Sequence, residues 1–357
     1  MNEELDELEV MLRPEPEESA ERAGLRYVGD EEPGYRRKRW GRGFTYLTPN
    51  GEHVKDEALR LRFEALAIPP AWTDVWICLT PRGHIQATGR DAEGRKQYVY
   101  HPRWAKVRNR TKFDRLLLFG RALPAIRARV DRDLRRHKLS REKVLAMVVA
   151  LLEESLIRIG NPEYARRNRS YGLTTLQVQH LDISGSTLHF EFRGKSGKEQ
   201  EFEVRDRRLA RMVKRCQELP GQQLFRYVTD THGCCGTVES GDVNDYLREI
   251  TGQPFTAKDF RTWGGTVVAA AALHEMGPAE SEAEAQANIQ KAVERAAEAL
   301  GNTPAVARRY YVHPTLLEAY EEGRLCEVHA EVTASENPQG LTVEEEVVVA
   351  LLEHRLA

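Results

Sequence analysis

Tyr311 closes the run from Leu300 to Pro314, downstream of three separated cationic segments. A phenol gives up its proton only near pH ~10, so a tyrosine that attacks phosphorus needs cations around the reacting group. Arg158, Lys195 and Arg261 are suited to that work. Exchange at a phosphodiester without a metal passes through five-coordinate phosphorus with charge on its nonbridging oxygens, which calls for cations held in place. Arginine's planar fork contacts two oxygens and stays protonated, so Arg158 and Arg261 would clamp them. Asn302 would donate a further hydrogen bond to the same group. Lys195 could protonate the departing 5′-oxygen, because a lysine pKa falls readily near other cations or in a dry site.

The elements that carry these residues follow from periodicity. Phe113 to Val130 and Arg141 to Arg158 both place apolar residues at helical spacing, with Val144, Met147, Val148, Leu151 and Leu152 on one side of the second. Gly160 and Asn161 suit a stop there, and Pro162 disfavours continuation, so Arg158 is expected where a buried helix meets a turn. Leu176–Leu181, Thr187–Phe192 and Glu201–Val204 switch to a two-residue period. Turns at Ser184-Gly185 and at Gly194-Lys195-Ser196-Gly197-Lys198 join them into a three-stranded antiparallel meander with Lys195 at a hairpin tip. The rest, to about Arg324, reads as mostly helical, including Ser281 to Leu300. Thr303 and Pro304 form an ordinary N-cap and first helical position before Tyr311. Upstream, Phe44–Leu47, Val75–Leu79, His84–Thr88 and Gln97–Tyr100 are short strands separated by turns.

The formal net charge of −2 conceals a segregation. Residues 1–32 hold 12 acidic and 3 basic side chains, and residues 315–357 hold 10 and 2, which leaves +15 for residues 33–314. Within that middle, residues 101–143 carry 15 Lys/Arg against 4 Asp/Glu. Such an excess is the footprint expected for a polyanion, or else a solvated helix face. Arg36-Arg37-Lys38-Arg39-Trp40-Gly41-Arg42-Gly43, a basic segment with an aromatic inside it, could grip a DNA backbone or be a flexible charged loop. The longest apolar run, Val144 to Leu152, falls well short of the roughly 20 residues that span a bilayer, and the acidic start has no signal pattern, so an intracellular protein without a membrane anchor is expected. Five irregularly spaced cysteines argue against a disulfide framework. Thr231-His232-Gly233-Cys234-Cys235-Gly236 lacks a second ligand pair at zinc spacing and reads as a surface loop.

Taken singly, each candidate has an ordinary explanation. An arginine at a helix end complements the helix dipole, Gly-Lys-Ser-Gly-Lys is a common hairpin turn, and Tyr-x-x-Pro ends many helices. Their joint order resembles the type IB DNA topoisomerases, in particular the compact bacterial and poxviral forms. In the N-terminal part the likeness rests on Ile68-Pro69-Pro70-Ala71-Trp72 and on Gln86 to Asp91 running through Gly94 to His101. It continues through Ile157-Arg158-Ile159-Gly160-Asn161, Tyr171 to Leu176, Arg193 to Lys198, Lys258-Asp259-Phe260-Arg261-Thr262-Trp263 and Asn302 to Pro314, and covers about residues 65–315.

The resemblance implies Tyr311 as nucleophile and Arg158, Lys195 and Arg261 as catalytic cations. Asn302 matches a position that many members fill with histidine; an amide can still donate to a phosphate oxygen but cannot serve as an acid. It further implies relaxation of supercoiled duplex DNA through a 3′-phosphotyrosyl link and a free 5′-hydroxyl, with no ATP, metal or other cofactor. The two domains would close as a C-shaped clamp on double-stranded DNA, touched by Gln97, Tyr98 and Tyr100 on the small domain and by Tyr164 and Lys258 on the large one. The aromatics among these are equally half-buried packing residues. A monomer in the cytoplasm, associated with the bacterial nucleoid, is implied.

The expected fold class is α+β. A small β-rich N-terminal domain spans residues 1–107, with a flexible acidic lead over 1–25. A larger, mostly α-helical domain spans residues 108–357, carries the three-stranded antiparallel sheet and holds the candidate catalytic residues. A tyrosine recombinase shares the Arg, Lys, Arg, Tyr order, but this chain has Lys258-Asp259-Phe260-Arg261 where recombinases carry His-x-x-Arg, and recombinases have a helical N-terminal domain. A non-catalytic DNA-binding protein would not require the full set of four.

Overall fold

The computed structural model describes residues 16–229, 235–335 and 340–355, and only the backbone of 105–112, 114 and 196. The acidic lead up to residue 15 and Thr231 to Cys234 of the Thr231–Gly236 stretch lie outside the described residues. The chain divides into two compact units, Met1–Arg115 and Leu116–Ala357.

The first unit contains α1 (Pro16–Arg22), β1 (Gly34–Trp40), β2 (Gly43–Leu47), α2 (Glu57–Ala65), β3 (Thr73–Cys78), β4 (Ile85–Arg90), β5 (Lys96–Tyr100) and the start of α3 (Pro102–Leu134). Its strands form one antiparallel sheet in the order β2-β1-β3-β4-β5. In β3 the run Val75-Trp76-Ile77-Cys78 is buried on both sides. Val75 and Ile77 pack with Tyr46, Phe63, Ile68 and Ala87, whereas Trp76 and Cys78 pack with Val28. An uninterrupted apolar run is what a strand covered on both faces requires.

Two expectations change here. The end of the acidic lead is ordered: Pro16–Arg22 is helical, and Ala20 and, just beyond it, Leu25 are buried against Trp104, which removes the indole's apolar surface from water. Arg36–Gly43 is a strand and tight hairpin rather than a loop, for Arg37 donates to the carbonyls of Ile68, Pro69 and Trp72, each at 2.9 Å, and so fixes the strand against the core.

The second unit takes the rest of α3, then α4 (Arg141–Ser155), α5 (Pro162–Asn168), β6 (Leu181–Ser184), β7 (Thr187–Arg193), β8 (Glu199–Arg205), α6 (Arg207–Gln217), β9 (Arg226–Val228) and β10 (Cys235–Thr237). There follow α7 (Ser240–Thr251), α8 (Ala257–Met276), α9 (Glu282–Ala299), α10 (Pro304–Tyr310), α11 (Pro314–Glu321), α12 (Arg324–Ala334) and α13 (Val343–His354). The sheet β6-β7-β8 is antiparallel, so the chain is α+β with a β-rich N-terminal region and a mostly helical larger part. Helix α4 is the spine, its residues Lys143–Val149 and Leu151-Leu152 all buried. None of the helices among the described residues is long and apolar enough to cross a membrane.

Element boundaries differ from the periodicity in two informative places. Helix α4 stops at Ser155, where Leu156 turns into the left-handed region at φ 53°, and Asn161 instead caps α5 by accepting the N–H groups of Glu163 and Tyr164. The first strand of the meander is Leu181–Ser184. Leu176–His180 coils into short 3-10 turns because its backbone bonds to Gln222 and Leu224 rather than to β7.

In the basic run 101–143, several of the described arginines are spent on the fold. Arg121 pairs with Glu353, Arg127 with Glu345 and Glu153, Arg129 with Asp133 and Glu249, Arg136 with Asp133, and Arg141 with Asp242. Asp133 is 0% exposed and accepts from Arg129, Arg136 and Tyr246 at 2.7, 2.9 and 2.9 Å. Burial alone would raise its pKa, but those three hydrogen bonds hold the carboxyl below the usual aspartate value. A carboxyl so depressed contributes stability that is present above its unfolded pKa of ~3.9 and is lost as pH falls through the folded value. Asp133→Asn is therefore expected to cost roughly 3 kcal/mol at neutral pH and to flatten the acid limb of the stability profile. Thermal unfolding followed from neutral to acid pH tests this, and superimposable curves would refute it.

Candidate active site

Arg261 lies in the first turns of α8 and is 4% exposed. One end of its guanidinium donates to the Leu156 carbonyl and the other to the Leu300 carbonyl at 2.9 Å. Leu156 is the left-handed cap of α4, just ahead of Arg158, and Leu300 ends α9, just ahead of Asn302. The guanidinium carbon sits 5.2 Å from the centre of the Tyr311 ring. Arg158 donates to the side-chain carbonyl of Asn302. Arg158, Arg261, Asn302 and Tyr311 thus meet, although they come from four separate elements.

Burial, and then the charge of Arg158, push the Arg261 pKa down to about 10, partly offset by the neighbouring Tyr311 phenol. It therefore stays cationic at neutral pH. Among the described residues neither arginine has an ion-pair partner, and Arg261 Nε and Asn302 Nδ2 are buried without a hydrogen-bond acceptor. Unsatisfied buried donors are uncommon in folded proteins, and an anionic oxygen would satisfy both.

Close backbone approaches hold this arrangement. A Cβ on Gly172 would lie 2.5 Å from the Gly160 nitrogen and 2.6 Å from the Arg158 carbonyl. That contact lets Leu173 and Thr174 donate to the carbonyls of Arg158 and Ile159 at 2.9 and 2.7 Å. Tyr171 in turn donates to the Arg193 carbonyl at the end of β7, tying the Arg158 turn to the hairpin of Lys195. In α8, Gly264 faces Leu156, and Gly265 faces Tyr311, whose carbonyl a Cβ there would approach to 3.0 Å. The Thr266 hydroxyl accepts the His313 N–H at 3.1 Å, so the chain on both sides of Val312 is docked on the helix that carries Arg261.

Lys195 is exposed in the β7–β8 turn and makes no direct bond to the other four among the described residues. Its link is Gln200, whose side chain packs on Gly194 and whose carbonyl end reaches Gly301, next to Asn302. Leu156, Gly264-Gly265, Thr266 and Gln200 were not legible as site residues. Only the Gly-Gly pair inside a helix pattern carried a signal, that of a close approach.

Of the expected DNA-contact residues, Tyr164 on α5 is 41% exposed and Lys258 is exposed one turn ahead of Arg261. On β5 of the first unit Tyr98 is 42% exposed and stacks on Tyr100, with centroids 5.7 Å apart. Gln97 is occupied within its own hairpin, donating to Asp91 at 2.8 Å.

Residues 101–336 match the family model of the eukaryotic DNA topoisomerase I catalytic core, and residues 43–91 that of the bacterial DNA topoisomerase IB N-terminal domain. A DNA topoisomerase 1B of Acanthamoeba polyphaga mimivirus is 33% identical over 294 residues, covering 80% of this chain and 87% of that protein. A DNA topoisomerase 1B of Vaccinia virus (strain Copenhagen) is 23% identical over 256 residues, covering 70% of this chain and 76% of that protein. On these matches, which take in every residue of the cluster around Arg261, the chain belongs to the type IB DNA topoisomerase family.

Proposed function

We propose that this chain relaxes supercoiled duplex DNA by breaking and rejoining one strand through Tyr311, as a monomer and without ATP or metal. The observation that carries the reading is the buried Arg261 guanidinium, 5.2 Å from the centre of the Tyr311 ring and set beside Arg158 and Asn302 with donors still unfilled.

The Tyr311 oxygen bonds to phosphorus and releases its proton to water, while the bond to the 5′-oxygen breaks. Lys195 gives that oxygen its proton, and its place at a hairpin tip suits a group that follows the leaving strand. Arg158 and Arg261 hold the two nonbridging oxygens, and the free amide hydrogens of Asn302 complete their coordination. A 3′-phosphotyrosyl link and a 5′-hydroxyl result, the duplex swivels, and the hydroxyl attacks to reverse the step. One phosphoester replaces another, so bond energy is conserved and no nucleotide is consumed. Tyr98, Tyr100, Tyr164 and Lys258 would touch the duplex. Gln97 would need to leave Asp91 to do so.

Plasmid relaxation of both supercoil signs is expected in EDTA without ATP, and denaturant trapping should leave protein on a 3′ end; a strict metal requirement would sink the reading. Tyr311→Phe should abolish relaxation and keep salt-sensitive DNA binding, whereas full activity would remove Tyr311 from the mechanism. Gly265→Val should push the Tyr311 backbone off α8 and slow covalent attachment by about 10²-fold with DNA affinity little changed. Equal losses in affinity and attachment rate would contradict the docking described for Tyr311.

A further inference from the structure

The β1–β2 hairpin concentrates cations that the fold leaves unused. Arg36, Lys38, Arg39 and Arg42 are exposed, and among the described residues none has an ion-pair or hydrogen-bond partner. Elsewhere in the same unit Arg26, Arg90, Arg95 and Lys96 each hold a carboxylate. Trp40, at the end of the strand, is 65% exposed and touches only the edge of His53 among ring partners in the described residues.

Sheet register places this row. Arg36 pairs with Trp76, Trp76 with Thr88, and Thr88 with Tyr98, so the four side chains line up across one face of the sheet. Lys38 and Trp40 continue that face along β1, as Tyr100 does along β5. The opposite face is the core, toward which Arg37 turns to stack over Phe44 at 4.2 Å. The centre of the open face is covered by the loop before β1, where Asp30 accepts from Thr88 and Lys96, and the Glu32 carbonyl accepts from Trp76. The carboxylates of Asp30 and Glu32 are both paired, with Lys96 and Arg26. Two rows therefore flank a strip in which Asp30 and Glu32 are paired and Glu31 is the remaining carboxylate: Tyr98 and Tyr100 on one side, and Arg36, Lys38 and Trp40 on the other.

We propose that the β1–β2 hairpin is a further contact with duplex DNA, in which Arg36, Lys38 and Arg42 take phosphate oxygens and Trp40 packs on the sugar-phosphate edge. The inference rests on the reading that a duplex lies against Tyr98 and Tyr100. Two free cations on one face of an extended strand, with a third in the turn that follows, match a linear polyanion, and a flat aromatic beside them covers apolar sugar surface.

The test uses the full chain carrying Tyr311→Phe, so that binding is read without cleavage, and a short labelled duplex titrated by anisotropy over a salt series. Arg36→Gln with Lys38→Gln should lower the slope of log affinity against log salt by about 2, at about 0.9 for each phosphate no longer neutralised. Trp40→Ala should weaken binding about fivefold at every salt concentration with the slope kept. Unchanged slope and affinity in both variants would overturn the proposal. So would loss of binding to anionic lipid vesicles in the variants with DNA binding intact, which would assign the hairpin to a membrane surface. Relaxation by the unsubstituted chain is scored separately: its absence beside a changed slope would refute the enzymatic reading and leave the hairpin contact standing.

Discussion

A guanidinium buried without a counter-ion is the constraint on which the larger unit depends. Removing Arg261 from water is unfavourable, and two backbone carbonyls replace only part of its hydration. Those carbonyls belong to the segments that lead into Arg158 and Asn302, so the bonds that make the burial tolerable also set the spacing of the neighbouring groups. The remaining deficit is a positive charge beside open donors on Arg261 and Asn302. An anionic oxygen placed there would meet charges and dipoles already oriented.

Charge that is separated along the chain is recombined in space. The acidic C-terminal stretch supplies Glu345 and Glu353 to the arginines of α3, and Glu345 also accepts from the Trp263 indole on α8. Trp263 lies two positions beyond Arg261, so the C-terminal helix braces the element that carries the site. Several arginines of the densest basic run, those described in α3 and α4, are thus structural cement, whereas β1 keeps exposed charges without carboxylate partners among the described residues. Density of Lys and Arg along a sequence reports how much charge exists, and only the positions of the carboxylates report how much is available to a partner.

Small residues decide the precision of the arrangement. Gly160 and Gly172 let the Arg158 turn lie against its neighbour, and Gly264 and Gly265 let Leu156 and Tyr311 rest on α8. Each glycine leaves out a side chain where a neighbouring backbone or, at Gly264, the Leu156 side chain comes close, so the contact is set by close packing rather than by flexible side chains.

The sequence by itself determined the inventory and its order: two arginines, a lysine in a turn, an amide and a tyrosine, on elements whose types follow from periods of 3.6 and 2 residues. It also determined the β-rich beginning and the helical remainder, because alternation and helical spacing are local properties of the chain. Tertiary structure decided the rest. That Leu156 ends α4 in a left-handed turn, that Leu176–His180 coils rather than pairs, and that the arginines of α3 meet glutamates more than 200 positions away in α13 are outcomes of packing between distant segments. No local pattern encodes them, since the energy of each contact depends on a partner that the chain brings near only once it has folded.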